Sequence, residues 1–545
     1  MAAKGIYGLS GSGIDVESLV KVGMISHQKR YDRIYKKEVE AEWRKEAYAD
    51  IYDKANTFRS RMSDFRLSSM TKPMTTASSQ SDAVTAVANA EAGTMPHTVK
   101  VTQTATNAYL MTSGSNIARL GAPGSVKLRD IAFAGGAQPV GMASTDTALS
   151  FKISNGSGSA TVSFTAEEVF TKNLTLNDLA ARINNARYTD GSGKKTSLDI
   201  RANYDSVSDG FSLFNSKTGD ANKIDLTVDT TSSSASYTTS LINNLQLGVV
   251  SGGTIGAAMT LTTSSPTTVS MAAQGTNADV TIDGHHYANL QDNKLTVNGV
   301  AYTFKKATPV GTPAQISVSQ DQDKTVENVK KFVEEYNALL DDLVKRYGEN
   351  RYKDYGVLTK AQEEGMTKEQ VEKWNEKAKS GLLFRDSYVR SMIGDLRDAV
   401  INRVQSVPGR YDNLASIGIT SKNQTGHLQL DEAKLRNAIA AEPDAVNRLI
   451  SYNDEDNDYN NNGVASRIFN KLQYRLKTLE SHSGRTADKS DRSQLGQLIQ
   501  NYEKQMSDFK QLMSTFEDKL YKKYNAMEEA IARLSTQFNF FVAKQ

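Results

Sequence analysis

The last fifty or so residues constrain this chain most. Met506, Met513, Leu520, Met527, Leu534 and Phe541 recur every seven residues without a miss. A second apolar row, Phe509 and Phe516, slips by one residue and resumes as Tyr524, Ile531 and Phe538. A strict heptad drifts around a helix of about 3.6 residues per turn, and one eight-residue step keeps such a stripe facing one way. No proline follows Pro443, and the only glycine beyond Leu495 is Gly496. The pattern predicts one helix of roughly forty residues, about 60 Å long at 1.5 Å per residue. A helix of that length with a single apolar stripe needs a partner.

The other end of the chain offers one. Asp15 can cap a helix whose first turn carries Glu17, where negative charge suits the helix dipole. Apolar or aromatic residues follow at Leu19, Val20, Met24, Tyr31 and Ile34, then at Tyr48, Ile51, Ala55, Phe58, Met62 and Phe65. The last six alternate steps of three and four, a coiled-coil seam. Glu38 and Lys45 interrupt the stripe, so that part is either solvated or faces a wetter partner. The helix must end before Pro73. Periodicity alone is also satisfied by an ordinary helical hairpin needing no second chain. Against that, the aromatic rows run to Phe541, and a monomer rarely buries so much at a fraying terminus.

Between the ends the character changes. Residues 76–320 are rich in Ser, Thr, Asn and Gly, with short alternating runs such as Ser150-Phe-Lys-Ile and Thr161-Val-Ser-Phe. Alternation of period two bounded by turn residues predicts antiparallel strands with one wet face. Asn298-Gly299 between two such runs is a two-residue hairpin signal. A helix is expected over Leu176 to Ala186. Residues 230–278 carry no charge, yet Leu241, Ile242, Leu245, Leu247, Val249 and Val250 supply apolar surface, so this stretch is expected to be folded. Helical patterning returns from Thr325 through Leu343 and again from Asp386 to Val404, with Trp374 on a short covering helix between them. Ile417-Gly-Ile-Thr and His427-Leu-Gln-Leu read as a small β module, followed by a helix capped by Asp431. The fold class is therefore α+β, with long coiled-coil-like terminal helices forming a leg and antiparallel β domains nested between them.

Chemistry is not what these residues point to. A net charge of +3 on 545 residues gives no reason to expect nucleic acid or an anionic membrane surface. Cysteine is absent, which excludes disulfides and thiolate sites. No apolar run is long enough to span a bilayer, and MAAKGIYGLSGSGID lacks the apolar core of a cleaved leader. His285 and His286 are adjacent on an expected strand and point to opposite faces. Gly191-Ser-Gly-Lys-Lys-Thr lacks the spacing of a phosphate loop, and Asp454, Asp456 and Asp458 are followed by Tyr459 where a calcium loop needs glycine. Gly8, Gly11 and Gly13 follow no expected strand. No enzyme, metal or cofactor is expected.

Several motifs do carry a likeness. Gly8-Leu-Ser-Gly-Ser-Gly-Ile-Asp-Val-Glu-Ser-Leu-Val and Glu42-Trp-Arg-Lys-Glu-Ala-Tyr near the start are two of them. Ala181-Arg-Ile-Asn-Asn and Asn203-Tyr-Asp-Ser-Val-Ser-Asp-Gly-Phe lie in the middle. Val318-Ser-Gln-Asp-Gln-Asp-Lys-Thr, Val329-Lys-Lys-Phe-Val-Glu-Glu-Tyr-Asn, Trp374-Asn-Glu-Lys-Ala-Lys-Ser-Gly-Leu-Leu, Leu414-Ala-Ser-Ile-Gly-Ile-Thr and Gly426-His-Leu-Gln-Leu-Asp lie further on. Together they resemble the bacterial flagellar filament cap family over nearly the whole chain, least so over 230–275.

That resemblance implies a secreted assembly factor at the distal tip of the flagellum, exported without removal of a peptide. Its copies would form a small ring, most often a pentamer. The ring would promote folding and insertion of flagellin and prevent its loss. Flagellin, hook–filament junction proteins and a cytoplasmic export chaperone are the implied partners, with no nucleic acid and no membrane insertion. The expected domains are 1–75, an inner β domain of 76–140 plus 272–320, an outer variable β domain of 141–271, a helical leg of 321–463 containing the β module 411–450, and helices over 464–545. Tyr48, Ile51, Phe58, Met62 and Phe65 are expected to pack against Met506, Phe509, Met513, Phe516 and Leu520. Met527, Ile531, Leu534, Phe538 and Phe541, with Leu19, Val20 and Met24, are expected to meet other subunits or partners. The alternative is a surface adhesin whose β domains grip host mucin or glycans. A flagellin or junction protein fits less well, because flagellin closes with little beyond terminal helices.

Overall fold

A computed structural model describes residues 15–114, 116–422, 426–454, 458–488 and 491–542, with side chains through 539. It contains two compact units: residues up to Pro73 together with those from Asp321 onward, and Met74–Gln320.

Five long helices build the first unit: α1 (Val16–Phe65), α2 (Gln322–Gly348), α3 (Ser387–Ile401), α4 (Val464–Ser483) and α5 (Gln494–Val542). α1 starts where the capping reading places it. The Asp15 carboxylate accepts from the Ser18 amide at 3.1 Å, and Glu17 in the first turn pairs with Lys21 at 3.1 Å. Asp321 and Asp386 cap α2 and α3 in the same way. The core of this unit gathers Tyr48–Phe65 of α1 with Phe332, Tyr336 and Leu340 of α2, the apolar face of α3, and Ile468, Leu472 and Leu476 of α4. Phe65 meets Phe332 edge-on at 5.6 Å between ring centroids, and Phe58 meets Tyr336 at 6.4 Å. The small module is present as Ile419–Ser421 paired antiparallel with Leu428–Leu430, followed by the helix Glu432–Ala441 capped by Asp431. Trp374 lies half-buried on the helix Lys368–Lys379 and donates from its ring nitrogen to the Gly356 carbonyl at 2.7 Å.

The second unit is antiparallel β with two separate apolar cores. One lobe holds a five-stranded sheet in the spatial order Met74–Ser78, Ala314–Gln320, His97–Gln103, Ala278–Ile282, His285–Leu290. A three-stranded sheet, Lys294–Val297, Val300–Phe304 and Val84–Ala88, accompanies it. Val99, Val101, Val280, Tyr302 and Ile316 fill the lobe's core. Asn298 and Gly299 both take positive φ (49° and 79°) in the tight turn joining Val297 to Val300, as the hairpin signal requires.

The other lobe holds two five-stranded sheets and the helices Leu176–Asn184 and Ala235–Asn244 around Leu110, Phe133, Phe151, Phe164, Phe211 and Leu226. Residues 230–278 are folded. They form Ala235–Asn244 and the strands Leu247–Ser251, Thr254–Ile255, Thr262–Ser265 and Thr268–Ala273. Membership of the two cores changes between Gln103 and Asn107 and again between Ala273 and Ala278. The stretch 107–140, grouped above with the inner domain, sends Leu110, Leu128, Ile131 and Phe133 into the second core.

Candidate functional site

α1 and α5 run antiparallel, and the contacts between them fix the register. A Cβ built on Gly23 would lie 2.7 Å from Leu520 Cδ1, so the two helices touch there. The His27 ring sits 4.4 Å from that of Phe516 and 6.1 Å from that of Phe509, and the Arg30 guanidinium lies 5.2 Å from the Phe509 centroid. Gly23–Leu520 and His27–Phe516 share the same residue-number total, which sets Val16, the first residue of α1, opposite Met527.

This register separates two sets of residues that periodicity had paired. Tyr48, Ile51, Phe58, Met62 and Phe65 are fully buried, but against α2, α3 and α4. Met506, Phe509, Met513, Phe516 and Leu520 lie along the N-terminal half of α1 instead, and each is only half-buried. The physical reason is that α4 takes the place beside Tyr48–Phe65 that a simple two-helix hairpin would have given to α5. A pair of helices standing alone cannot cover both apolar rows.

Beyond Met527 the tail helix has no facing turn of α1 among the described residues. It continues through Val542, about 22 Å at 1.5 Å per residue. Met527 is 38% exposed, Leu534 65% and Phe538 68%, and Ile531 is half-buried. Phe541 lies on the same helix, and its side chain falls outside the described residues. Leu19 and Met24 are half-buried, whereas Val20 is 2% exposed and thus already covered within the chain.

Where α1 crosses from the core to the two-helix stem, Lys45 is buried to 1% exposure. Its ammonium donates to the Ser483 carbonyl and the Asp491 carboxylate, each at 2.6 Å, and to Ser493 Oγ at 3.2 Å. It thereby joins the end of α4 to the start of α5. Gly484 and Gly496 shape this socket: a Cβ on Gly484 would fall 1.8 Å from Asp491 Oδ2, and one on Gly496 2.3 Å from Oδ1. Burial raises the Asp491 pKa, but the bonds from Lys45 and Ser493 outweigh it and hold the carboxyl below its ordinary value. Glu38 is buried about two turns earlier. Its carboxylate lies within 4.8 Å of those of Glu42 and Glu503, the one grouping of potential metal-ligating residues among those described. Burial, followed by Glu363 and Glu38, raises the Tyr35 pKa beside them. Neither Lys45 nor Glu38 was assigned a role from sequence. Their signal was visible as two charges standing in an apolar stripe.

Residues 16–65 and 494–542 fold together as one helical stem, with a β unit inserted between them in sequence. Among the described residues, no helix is long and apolar enough to cross a membrane. The family described as Flagellar hook-associated protein 2 C-terminus matches residues 275–536, and its N-terminal counterpart matches 12–108. The chain belongs to the flagellar hook-associated protein 2 family, the flagellar cap proteins. It is 25% identical to flagellar hook-associated protein 2 of Halalkalibacterium halodurans over 97% of this chain and 98% of that one. It is 28% identical to the B-type flagellar hook-associated protein 2 of Pseudomonas aeruginosa over 46% of this chain and 45% of the other. The solved D1-D2-D3 domains of the flagellar cap protein FliD from Escherichia coli align at a TM-score of 0.49 and 19% identity, covering 80% of this chain and 95% of that one.

Proposed function

We propose that this cap protein closes the distal tip of the flagellar filament as a ring of copies, most often five. There it holds newly exported flagellin while it folds and inserts, and prevents its loss. The observation that carries the reading is the set of exposed apolar side chains on α5 beyond Met527. Leu534 and Phe538 stand open on a helix whose stripe is built for a partner, and burying each would contribute about 1.5–3 kcal/mol. The occupant is a neighbouring copy, flagellin or the export chaperone, and the same face can serve each in turn along the export route. Work for insertion comes from flagellin folding itself, with the cap as a mobile template.

The test is a chain ended at Met527. Mass photometry of the purified protein is expected to show the ring lost, with export-chaperone binding and retention at the filament tip weakened alongside. If ring assembly, chaperone binding and tip retention all survive, the role given to the tail is wrong. A full-length protein that stays monomeric at every concentration would overturn the ring.

A further inference from the structure

The β unit has two cores, and the chain passes between them only twice, over 104–106 and 274–277. Two short connectors lying side by side make a hinge, and rotation about it stops only if the lobes also grip one another elsewhere. They do so through side chains. Gln291, in the turn after His285–Leu290 of the first lobe, reaches into the turn 218–222 of the second. Its Nε2 donates to Asp220 Oδ1 at 2.8 Å, its Oε1 accepts from the Ala221 amide at 3.3 Å, and its carbonyl accepts from Thr218 Oγ1 at 2.5 Å.

The turn in return holds the connectors. The Asp220 amide donates to Asn277 Oδ1 at 2.8 Å, Gln274 Nε2 donates to the Asp220 carbonyl at 2.9 Å, and the Gly219 amide donates to the Thr106 carbonyl at 3.0 Å. The two connectors are bound to each other by Thr106 and Thr276, hydroxyl to hydroxyl at 2.9 Å. Room for this is made by a missing side chain. Gly219, at φ +95°, lies so close that a Cβ would stand 2.0 Å from Gln291 Oε1 and 2.9 Å from its Cα.

We propose that Gln291 is the key of an interlobe lock: seated in the turn 218–222, it closes a polar clasp that makes the two β lobes one rigid body. Every bond of the clasp joins polar atoms, side chain or backbone. Its closed state rests on geometry and on each polar group finding its partner.

The chain has no cysteine, so Val207→Cys in one lobe and Val310→Cys in the other, both exposed, give a unique spin-label pair in the full-length protein. The parent is expected to show a single narrow distance distribution, with the Gly219 and Asp220 amides protected from exchange. Gln291→Glu keeps the size but sets a second carboxylate against Asp220. It is expected to at least about double the width of the distribution, while core amides such as those of Val280 and Leu226 keep their protection. Gly219→Ala attacks the same contact from the other lobe and is expected to do the same. A broad distribution in the parent overturns the lock, as does parental width in either variant with both cores intact.

Discussion

The Lys45 ammonium lies 2.6 Å from the Asp491 carboxylate, a bond that spans nearly the whole sequence and ties the middle of α1 to the junction of α4 and α5. The two partners are unequally placed: the lysine side chain is 1% exposed and the aspartate 25%. That inequality decides which loss hurts more. Asp491→Ala strands a buried cation with only the Ser483 carbonyl and Ser493 Oγ as acceptors, at an expected cost of about 3–5 kcal/mol. Lys45→Met leaves a carboxylate that reaches water and keeps Ser493, at an expected cost of about 1–3 kcal/mol. Urea unfolding of the two full-length variants ranks them, and the reverse order would refute the buried-lysine account.

The same pair sets an acid limit. Asp491 titrates below its unfolded value of 3.8 because the folded state holds the ionised form. A depressed carboxylate stabilises the fold above the unfolded pKa and loses that contribution as pH falls through the folded one. Hydrogen exchange at the α4–α5 junction should therefore be flat from pH 7 down to about pH 4 after correction for intrinsic rates, and should rise below 3.8. In Asp491→Asn the rise at this junction should be absent.

The stripes themselves were legible, and their partners were not. The stepping of Tyr48 through Phe65 shows which face of α1 is buried, but nothing in a spacing says whether α4 or α5 covers it. Helix identity was secured by the caps Asp15 and Asp431 and by the absence of proline, all local signals. Lys45 and Glu38 read as interruptions because a charge in an apolar row is ordinarily solvated. Their burial depends on groups such as Ser483 and Asp491, more than four hundred positions away. Asn298-Gly299 fixed its hairpin for the opposite reason, since both residues act within a single turn. The division between the two β cores was missed at Asn107–Thr112. Its alternation shows a strand, and any of the sheets could have taken it.

Two buried tyrosines should respond differently to losing a hydroxyl. Tyr48 donates to Asp386 Oδ2 at 2.5 Å, and that carboxylate also caps α3. Burial, then this bond, pushes the Tyr48 hydroxyl well above its usual range. The Tyr336 hydroxyl is buried with no hydrogen-bond partner among the described residues. Tyr48→Phe should cost about 1–2 kcal/mol, and Tyr336→Phe should change stability by less than about 0.5 kcal/mol or increase it. Differential scanning calorimetry on the full chain distinguishes the pair. Equal losses would mean that Tyr336 has an acceptor.

The register of the stem rests on Gly23, and substitution there tests it directly. The atom a new Cβ would approach, Leu520 Cδ1, is the free end of a flexible side chain, so it can turn away. Alanine is also a better helix former than glycine by about 0.8–1.0 kcal/mol. Gly23→Ala should therefore slow hydrogen exchange along Met24–His27 by a few-fold. Gly23→Phe places a ring where Leu520 and Phe516 already lie and must push the helices apart. Exchange along that half of α1 and the facing residues 509–524 should rise, while Phe58, Phe65 and Phe332 keep their protection, because α2 and α4 rather than α5 cover that half of α1. If Gly23→Phe leaves the stem unchanged, α1 and α5 do not meet in this register.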